Sequence, residues 1–535
     1  MIVSDSFTHN NREIAMNGLR LNTRKKKSAL NFITGIGAQI FTIAVSFICR
    51  TIFIATLGEA YLGINSLFAN ILNMLSLAEL GVGTAITYYM YEPLEKKDEH
   101  RIIVLMNFYR SVYRIIAVVI ALIGICIIPV LPYIVSDYER LDQLGLNAVV
   151  VFLIYLFQSV SSYLFFAHRS VIIKADQKEY IINLVNTVTI ILQNVFQIVT
   201  LVLFKNFIIY VLIQIFFVVL QNLIAAVIAK RRYSYINNKI ETKIDREEVK
   251  TIFKDCKAVF IYRINRVILK STDNIILSAV LGLKAVALYS NYYVFYTMIN
   301  GFFTRMNTAI IHSIGNLHTE KNTQHEYRIF KVLFLIMSII GATVAVGVSL
   351  CGDELIIAWI GDAWTIQQPF SLLLGIELFF LCLQYFLSKY RNAVGLFQQL
   401  QMLPIIGSVV NIVMSVILVR TLGISGVILG TIIAEAIVFM IIDPYIIYKH
   451  GFNNNYSLRG FYFFLLRQIL SATVAYFASS FLCSHIVICN GWISVAVHAF
   501  VCGCLTPLVM ILFNIRGEET KYLFKIVKAR FVKKA

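Results

Sequence analysis

Stretches of about twenty mostly apolar residues recur along this chain, and no other feature restricts its fold as strongly. Crossing a hydrocarbon layer of ~30 Å takes about 20 residues of α-helix. Fourteen such stretches are found, at 30–56, 62–90, 115–135, 147–168, 181–204, 207–229, 258–281, 286–311, 332–351, 367–388, 401–419, 424–448, 468–488 and 491–513. They are continuous runs rather than ten-residue alternations, which selects helices over a β-barrel. Composition agrees. Of 535 residues, 59% are hydrophobic and only 14% charged, whereas a soluble chain covers its exterior with about 25% charge. The expected fold is an all-α polytopic membrane protein of about fourteen transmembrane helices.

Charge placement sets the expected orientation. The formal net charge is +18, from 47 Lys and Arg against 29 Asp and Glu. With the N-terminus inside, 38 of the basic residues fall on inner segments, and only Arg140, Lys205, Lys284 and Arg420 fall on outer loops. This is the positive-inside bias, and it accounts for the charge without nucleic acid. Both termini are then cytoplasmic, in a multi-pass protein of the cell membrane. The first apolar stretch is too long for a signal-peptide core and reads as an uncleaved span.

The loops suggest how the spans are grouped. The longest internal one, 230–257, is cytoplasmic and basic. Asp245, Arg246, Glu247 and Glu248 form a capping-box pattern ahead of Val249, Ile252, Phe253 and Cys256 at helical spacing. An amphipathic helix lying on the inner surface is expected there. The organisation is an N-terminal cytoplasmic segment 1–29, a six-span lobe 30–229, the linker 230–257, a second six-span lobe 258–448, a final span pair within 449–513 and a basic tail 514–535. Leu-Gly turns recur at Leu57-Gly58, Leu281-Gly282 and Leu422-Gly423. Two of them join the first hairpin of each lobe, consistent with related halves, a common transporter architecture.

Several chemistries are excluded. No phosphate-binding G-x-x-x-x-G-K-[ST] loop, H-E-x-x-H motif or zinc-type Cys/His spacing occurs. No cofactor or metal is implied, and the cysteines read as small buried hydrophobes. A membrane polymerase or glycosyltransferase would carry its acids or arginines in a large outer loop. The only candidate acids, Asp353, Glu354 and Asp362, sit at a short loop beside Trp359 and Trp364.

Five basic residues remain, all inside spans: Arg50, Arg263, Arg266, Lys270 and Arg305. Each ionisable group at membrane depth costs about 2.5–3.5 kcal/mol on insertion scales and is expected to face a cavity or a partner. Arg263, Arg266, Lys270 and Asp273 are spaced three, four and three apart, which puts them on one helix face. Such a net positive stripe suits a phosphate-bearing ligand. Four carboxylates, Glu79, Asp273, Glu377 and Glu435, are deep enough to hold a coupling proton or sodium ion, or to neutralise nearby cations. Span five carries an amide stripe of Asn183, Asn186, Gln193, Asn194 and Gln197. Span eight carries Tyr289, Tyr292, Tyr293, Tyr296 and Asn300. Amides and aromatic faces suit sugar hydroxyls and rings, with Tyr293, Tyr296 and Asn300 the candidates in span eight. They equally serve as helix-to-helix glue and packing.

The first hairpin carries a family resemblance. Arg50-Thr51-Ile52-Phe53-Ile54, the turn Leu57-Gly58-Glu59-Ala60-Tyr61-Leu62-Gly63, the run Leu77-Ala78-Glu79-Leu80-Gly81-Val82-Gly83-Thr84-Ala85-Ile86 and the Tyr91-to-Leu94 run resemble the Wzx-type flippases. These form the polysaccharide branch of the multidrug/oligosaccharidyl-lipid/polysaccharide exporter superfamily. The resemblance implies two lobes around a cationic central cavity lined by spans one, two, seven and eight, with Arg50, Glu79, Arg263, Arg266, Lys270, Asp273 and Arg305 pointing inward. It implies no enzymatic step. The substrate would be an undecaprenyl-pyrophosphate-linked repeat unit, flipped to the outer leaflet by alternating access for capsule, exopolysaccharide or O-antigen assembly. Membrane lipids, a polysaccharide polymerase and glycosyltransferases would be its partners. In the lipid II flippase relative, the last two spans shape a groove for the lipid tail. Two alternatives stay open: an ion-coupled drug/cation antiporter of the same superfamily, and the polymerase or glycosyltransferase.

Overall fold

The computed structural model describes residues 41–75, 82–135, 138, 141, 145–165, 169–176, 178–238, 244–319, 322–366, 368–394, 396, 403–486 and 491–532. Within these stretches only the backbone is described at 82, 84–85, 88, 237, 255–270, 305–319, 392, 403–404, 438–439 and 526–532. Sixteen principal helices follow one another: α1 (Phe41–Leu57), α2 (Glu59–Leu75), α3 (Val82–Lys96), α4 (Glu99–Ile127), α5 (Ala148–Leu164), α6 (Glu179–Phe204), α7 (Phe207–Arg232), α8 (Arg246–Leu281), α9 (Leu283–Thr319), α10 (Thr323–Ile360), α11 (Phe370–Ala393), α12 (Leu403–Leu422), α13 (Ile424–Gly451), α14 (Leu458–His485), α15 (Gly491–Asn514) and α16 (Glu518–Val532). No strand occurs among the described residues. Each apolar stretch of the sequence coincides with a described helix, span two being represented by α2 and α3. Nine of the described helices are long and apolar enough to cross a membrane, and α1 and α5 are shorter apolar helices. At about 1.5 Å per residue the 38-residue α10 is about 57 Å long, well over the thickness of a hydrocarbon layer.

The chain's own turn and capping residues set the helix ends. Gly58, Gly282 and Gly423 have φ of 86°, 88° and 59°. The repeated Leu-Gly turns therefore use a conformation that glycine adopts without steric cost, and each lets one helix end and another begin at once. Asn206, Asn322 and Ser457 cap α7, α10 and α14, their side-chain oxygens accepting the N–H groups of Ile209, His325 and Gly460 at 3.1, 3.0 and 3.1 Å.

The expected separate surface helix at 245–257 is instead the beginning of α8, which runs unbroken for 36 residues into span seven. A capping box fixes where a helix starts, and nothing after it in this sequence breaks the helix: no Gly or Pro occurs before Gly282.

The described chain divides into two compact units. The first gathers residues up to 58, Val82–Gly124 and Leu153–Cys256. In it Phe53 of α1 packs edge-on against Tyr210 and Phe207 of α7, at ring distances of 4.9 and 6.1 Å. Tyr109 donates to Tyr113 at 2.6 Å, and Tyr113 meets Tyr163 edge-on at 5.7 Å. The second gathers Glu59–Gly81, Ile125–Phe152 and everything from Lys257. Here α2 packs along α9, α10 along α11 and α15, and α12 along α13. An aromatic cluster of Tyr327, Phe330, Tyr390, Tyr448, Phe452 and Phe461 fills one end of this unit. Glycines permit the closest approaches: a Cβ on Gly63 or Gly426 would lie 2.2 Å from the carbonyl oxygen of Leu283 or Leu418.

Candidate functional site

Several of the candidate residues meet in the second unit. Asp273 is the last member of the charged stripe on α8 and is 5% exposed. Tyr289, one helix later on α9, donates its Oη–H to Asp273 Oδ2 at 3.1 Å. Residues four and three apart share a helix face, so Tyr289, Tyr293 and Tyr296 form a ladder. The rings stack at 5.8 Å and 22° between the first two, and at 5.2 Å and 15° between the second two. Glu377 of α11 lies within electrostatic reach of all three tyrosines. Glu435 of α13 lies within reach of Tyr296. Both glutamates are buried. One turn beyond, Asn300 Oδ1 accepts from Tyr385 Oη at 2.6 Å.

Four helices thus string three buried carboxylates along one tyrosine stack. Sequence reading placed Asp273, Glu377 and Glu435 in one class and Tyr293, Tyr296 and Asn300 in another; the structure joins them. Hydroxyls between carboxylates can donate to either and accept from a cation, so the arrangement has the chemistry to hold a monovalent ion or to pass a proton. Glu435 also begins a π-helical turn, Glu435–Ile442, in α13. Such turns interrupt the regular backbone bonding and recur at functional positions.

The rest of the charged stripe is described as backbone. Arg263, Arg266 and Lys270 lie on α8 at the register that ends in Asp273, and Arg305 lies on α9; their side chains are outside the description. Glu79 is outside the described residues altogether.

In the first unit Arg50 is half-buried on α1, within electrostatic reach of Tyr210 on α7. The span-five amides divide into two groups. Asn194 is buried and donates to Ser46 Oγ of α1 at 3.0 Å. Gln197 is buried, accepts from the Cys49 thiol at 3.9 Å and donates to the Tyr210 carbonyl at 3.2 Å. These two join α6 to its neighbours. Gln193 reaches Gln197 at 3.5 Å and is half-buried, Asn183 is exposed, and Asn186 is half-buried with an Oδ1 that meets no donor among the described residues.

Asp353 and Glu354, read from the sequence as loop acids, instead lie in the last two turns of α10, because the helix continues to Ile360, and both tie helices together. Asp353 accepts from Tyr292 Oη at 2.7 Å, from Gln368 Nε2 at 2.6 Å and from Ser371 Oγ. Tyr292 Oη in turn accepts the Ile366 N–H at 3.2 Å. Glu354 is held by His498 Nδ1 at 2.9 Å. A carboxylate with its acceptor sites taken by three fixed donors is poorly placed to act as a base or nucleophile.

Sequence reading missed a buried ion pair between Arg391, near the end of α11, and Asp443 in α13, 8% and 0% exposed. The Asp-Pro step inside an apolar run was its only signal. It also missed an apolar cleft of about 330 Å³ between α10, α11 and α14, lined by Val346, Ile376, Phe379, Phe380, Tyr476 and Phe477.

The sequence profile of the family described as polysaccharide biosynthesis protein matches residues 28–318, more than half of the chain. This chain belongs to the polysaccharide biosynthesis protein family. The matched region contains Arg50, the span-five amides, the charged stripe of α8 and the tyrosine ladder. No curated protein matches by sequence. Among solved structures the fold is similar to that of the lipid II flippase MurJ in an inward closed conformation, with a TM-score of 0.61, 14% identity, and coverage of 90% of this chain and 99% of MurJ. It is also similar to an inward-facing multidrug resistance MATE family transporter of the MOP superfamily, with a TM-score of 0.55, 15% identity, and coverage of 75% and 92%. The fold and the family membership both agree with the resemblance read from the first hairpin. This family member is therefore a multi-pass membrane protein with a MurJ- and MATE-like fold.

Proposed function

We propose that this protein flips an undecaprenyl-pyrophosphate-linked oligosaccharide repeat unit from the inner to the outer leaflet of the cytoplasmic membrane, by alternating access, for cell-surface polysaccharide assembly. The observation that carries this reading is the cation stripe of α8 in a chain of the polysaccharide biosynthesis family. Arg263, Arg266 and Lys270 precede one buried carboxylate, so the stripe is net positive at membrane depth, where an anionic ligand offsets the cost. They hold the pyrophosphate, with Arg50 and Arg305 adding positive charge. Half-buried Tyr293 and Asn300, with Asn183, Asn186 and Gln193, meet the glycan. The apolar cleft of the second unit suits the hydrocarbon part of such a substrate. A polymerase and glycosyltransferases act before and after the step, and both termini of the flippase are cytoplasmic.

The Asp273–Glu377–Glu435 ladder supports coupling to a proton or sodium gradient, a property equally expected of a drug/cation antiporter of the same fold. The cation stripe separates the two readings, because a cationic drug is repelled by it. Arg266→Ala should abolish surface polysaccharide while the protein still accumulates in the membrane. Arg266→Lys should restore part of it, because lysine keeps the charge and loses the bidentate fork. Normal polysaccharide from cells carrying Ala at 263, 266 and 270 together would overturn the pyrophosphate assignment.

A further inference from the structure

Within the second unit the C-terminal helix α16 packs on α10, where Arg328 lies 5.3 Å from the Tyr522 ring centroid and one carboxylate is buried at the contact. Glu519 Oε1 lies 2.6 Å from Lys331 Nζ of α10, and its Oε2 lies 3.6 Å from Arg467 Nη2 of α14. The Glu519 side chain is 8% exposed, while Lys331 and Arg467 are 21% and 35% exposed. The two cations are positioned by their own helices. Lys331 Nζ sits 5.2 Å from the Tyr327 ring centroid one turn back, and the Arg467 guanidinium sits 5.1 Å from that of Phe464.

The carboxylate fits this cradle incompletely. The contact to Arg467 Nη2 is longer than a hydrogen bond, and the buried Arg467 Nε finds no acceptor among the described residues. A guanidinium presents Nε–H and Nη–H as a fork, which a tetrahedral phosphate can fill from two oxygens while a third reaches an ammonium. The surroundings are those of a membrane lipid. Phe463 and Leu470, at i−4 and i+3 from Arg467, share its helix face and are 74% and 50% exposed. Phosphate and hydrocarbon would therefore be met side by side. The cradle lies roughly 12–14 Å along α10 and α14 from their first residues, at the end of the bundle that the charge bias assigns to the cytoplasm. Basic pockets between helices on that side bind anionic headgroups.

We propose that Lys331 and Arg467 form a binding site for the phosphate of an anionic membrane lipid, and that α16 occupies it in cis through Glu519. Lipid phosphate and Glu519 exclude each other, so anionic lipid releases the tail. This site is separate from the substrate site proposed above and does not rest on it.

The test uses the full chain in phosphatidylcholine nanodiscs, titrated with phosphatidylglycerol or with inorganic phosphate. Glu519→Gln should bind phosphatidylglycerol roughly fivefold or more tightly than the unmutated protein. Lys331→Gln with Arg467→Gln should lose that binding. Inorganic phosphate binding as well as the lipid would overturn the lipid assignment, and unchanged affinity of Glu519→Gln would overturn the occupation by α16. A second measurement needs no substitution. Phosphatidylglycerol should raise amide hydrogen exchange across 518–525 of the unmutated protein while phosphatidylcholine does not; equal protection in both lipids also overturns the proposal.

Discussion

Gly63→Ala should separate two helices that the fold holds nearly backbone to backbone. Gly63 lies on the face of α2 that packs on α9. A Cβ there would sit 2.2 Å from the Leu283 carbonyl oxygen and 2.9 Å from its carbonyl carbon and Cβ, where 3.4 Å begins ordinary contact. Relief requires a shift of about 1.2 Å. Two of the three atoms are backbone, so no side chain can rotate away, and the neighbouring Glu59–Lys284 pair, at 3.4 Å, would be stretched as well. Overpacking of this kind costs about 1–3 kcal/mol. Alanine's higher helix propensity returns at most about 1 kcal/mol. Gly301, on the same helix α9 as Leu283, is the control: nothing lies within 4 Å of an added Cβ, so Gly301→Ala should be neutral or stabilising. Thermal unfolding of the detergent-solubilised variants measures the first effect. Surface polysaccharide per amount of protein in the membrane measures the second, because α9 carries the tyrosine ladder. A Gly63→Ala protein as stable as Gly301→Ala would refute the packing argument.

Four further outcomes are expected. Arg391→Ala leaves the Asp443 carboxylate, 0% exposed, without its cation; it should cost about 3–5 kcal/mol, and Arg391→Leu with Asp443→Leu should recover most of it in the same unfolding assay. Burial raises the Glu519 carboxyl, but the hydrogen bond from Lys331 and the charges of Lys331 and Arg467 outweigh it, so its pKa lies below the ordinary value; the docking contribution is then complete above about pH 4.5 and lost as pH falls through the lowered value, and hydrogen exchange of 518–525 should show acid release that Glu519→Gln abolishes. Glu377→Gln, Glu435→Gln or Asp273→Asn should remove the response of flipping to an imposed proton or sodium gradient in vesicles; flipping that ignores both gradients in the unmutated protein would return these acids to packing. In a cysteine-free background, Ala363→Cys in the exposed turn after α10 should react with a membrane-impermeant thiol reagent on intact cells and Ile240→Cys should not, and the reverse pattern would invert the topology.

The helices were legible because hydropathy is a property of a window of about twenty residues, and the turns at Gly58, Gly282 and Gly423 because glycine acts on its immediate neighbours. The stripe spacing of Arg263, Arg266, Lys270 and Asp273 was readable for the same reason, since helical register is local. Continuity of α8 was misread because a capping box marks a start and carries no information on where the helix leaves the surface. The span-five amides share one stripe in the sequence, yet Asn194 and Gln197 turn out to join α6 to α1 and α7, while Asn183 is exposed.

What the sequence alone determined, then, is the membrane as solvent, the helices, their register and the cost of every charge within them. Only the tertiary structure decided which charge meets which partner. Tyr289 is sixteen residues from Asp273, Glu377 is more than a hundred away, and Glu519 lies 188 residues from Lys331. Hydrogen bonds and ion pairs act over a few ångströms, whereas residues so far apart in the chain are brought within that range by helix packing, which no local pattern encodes.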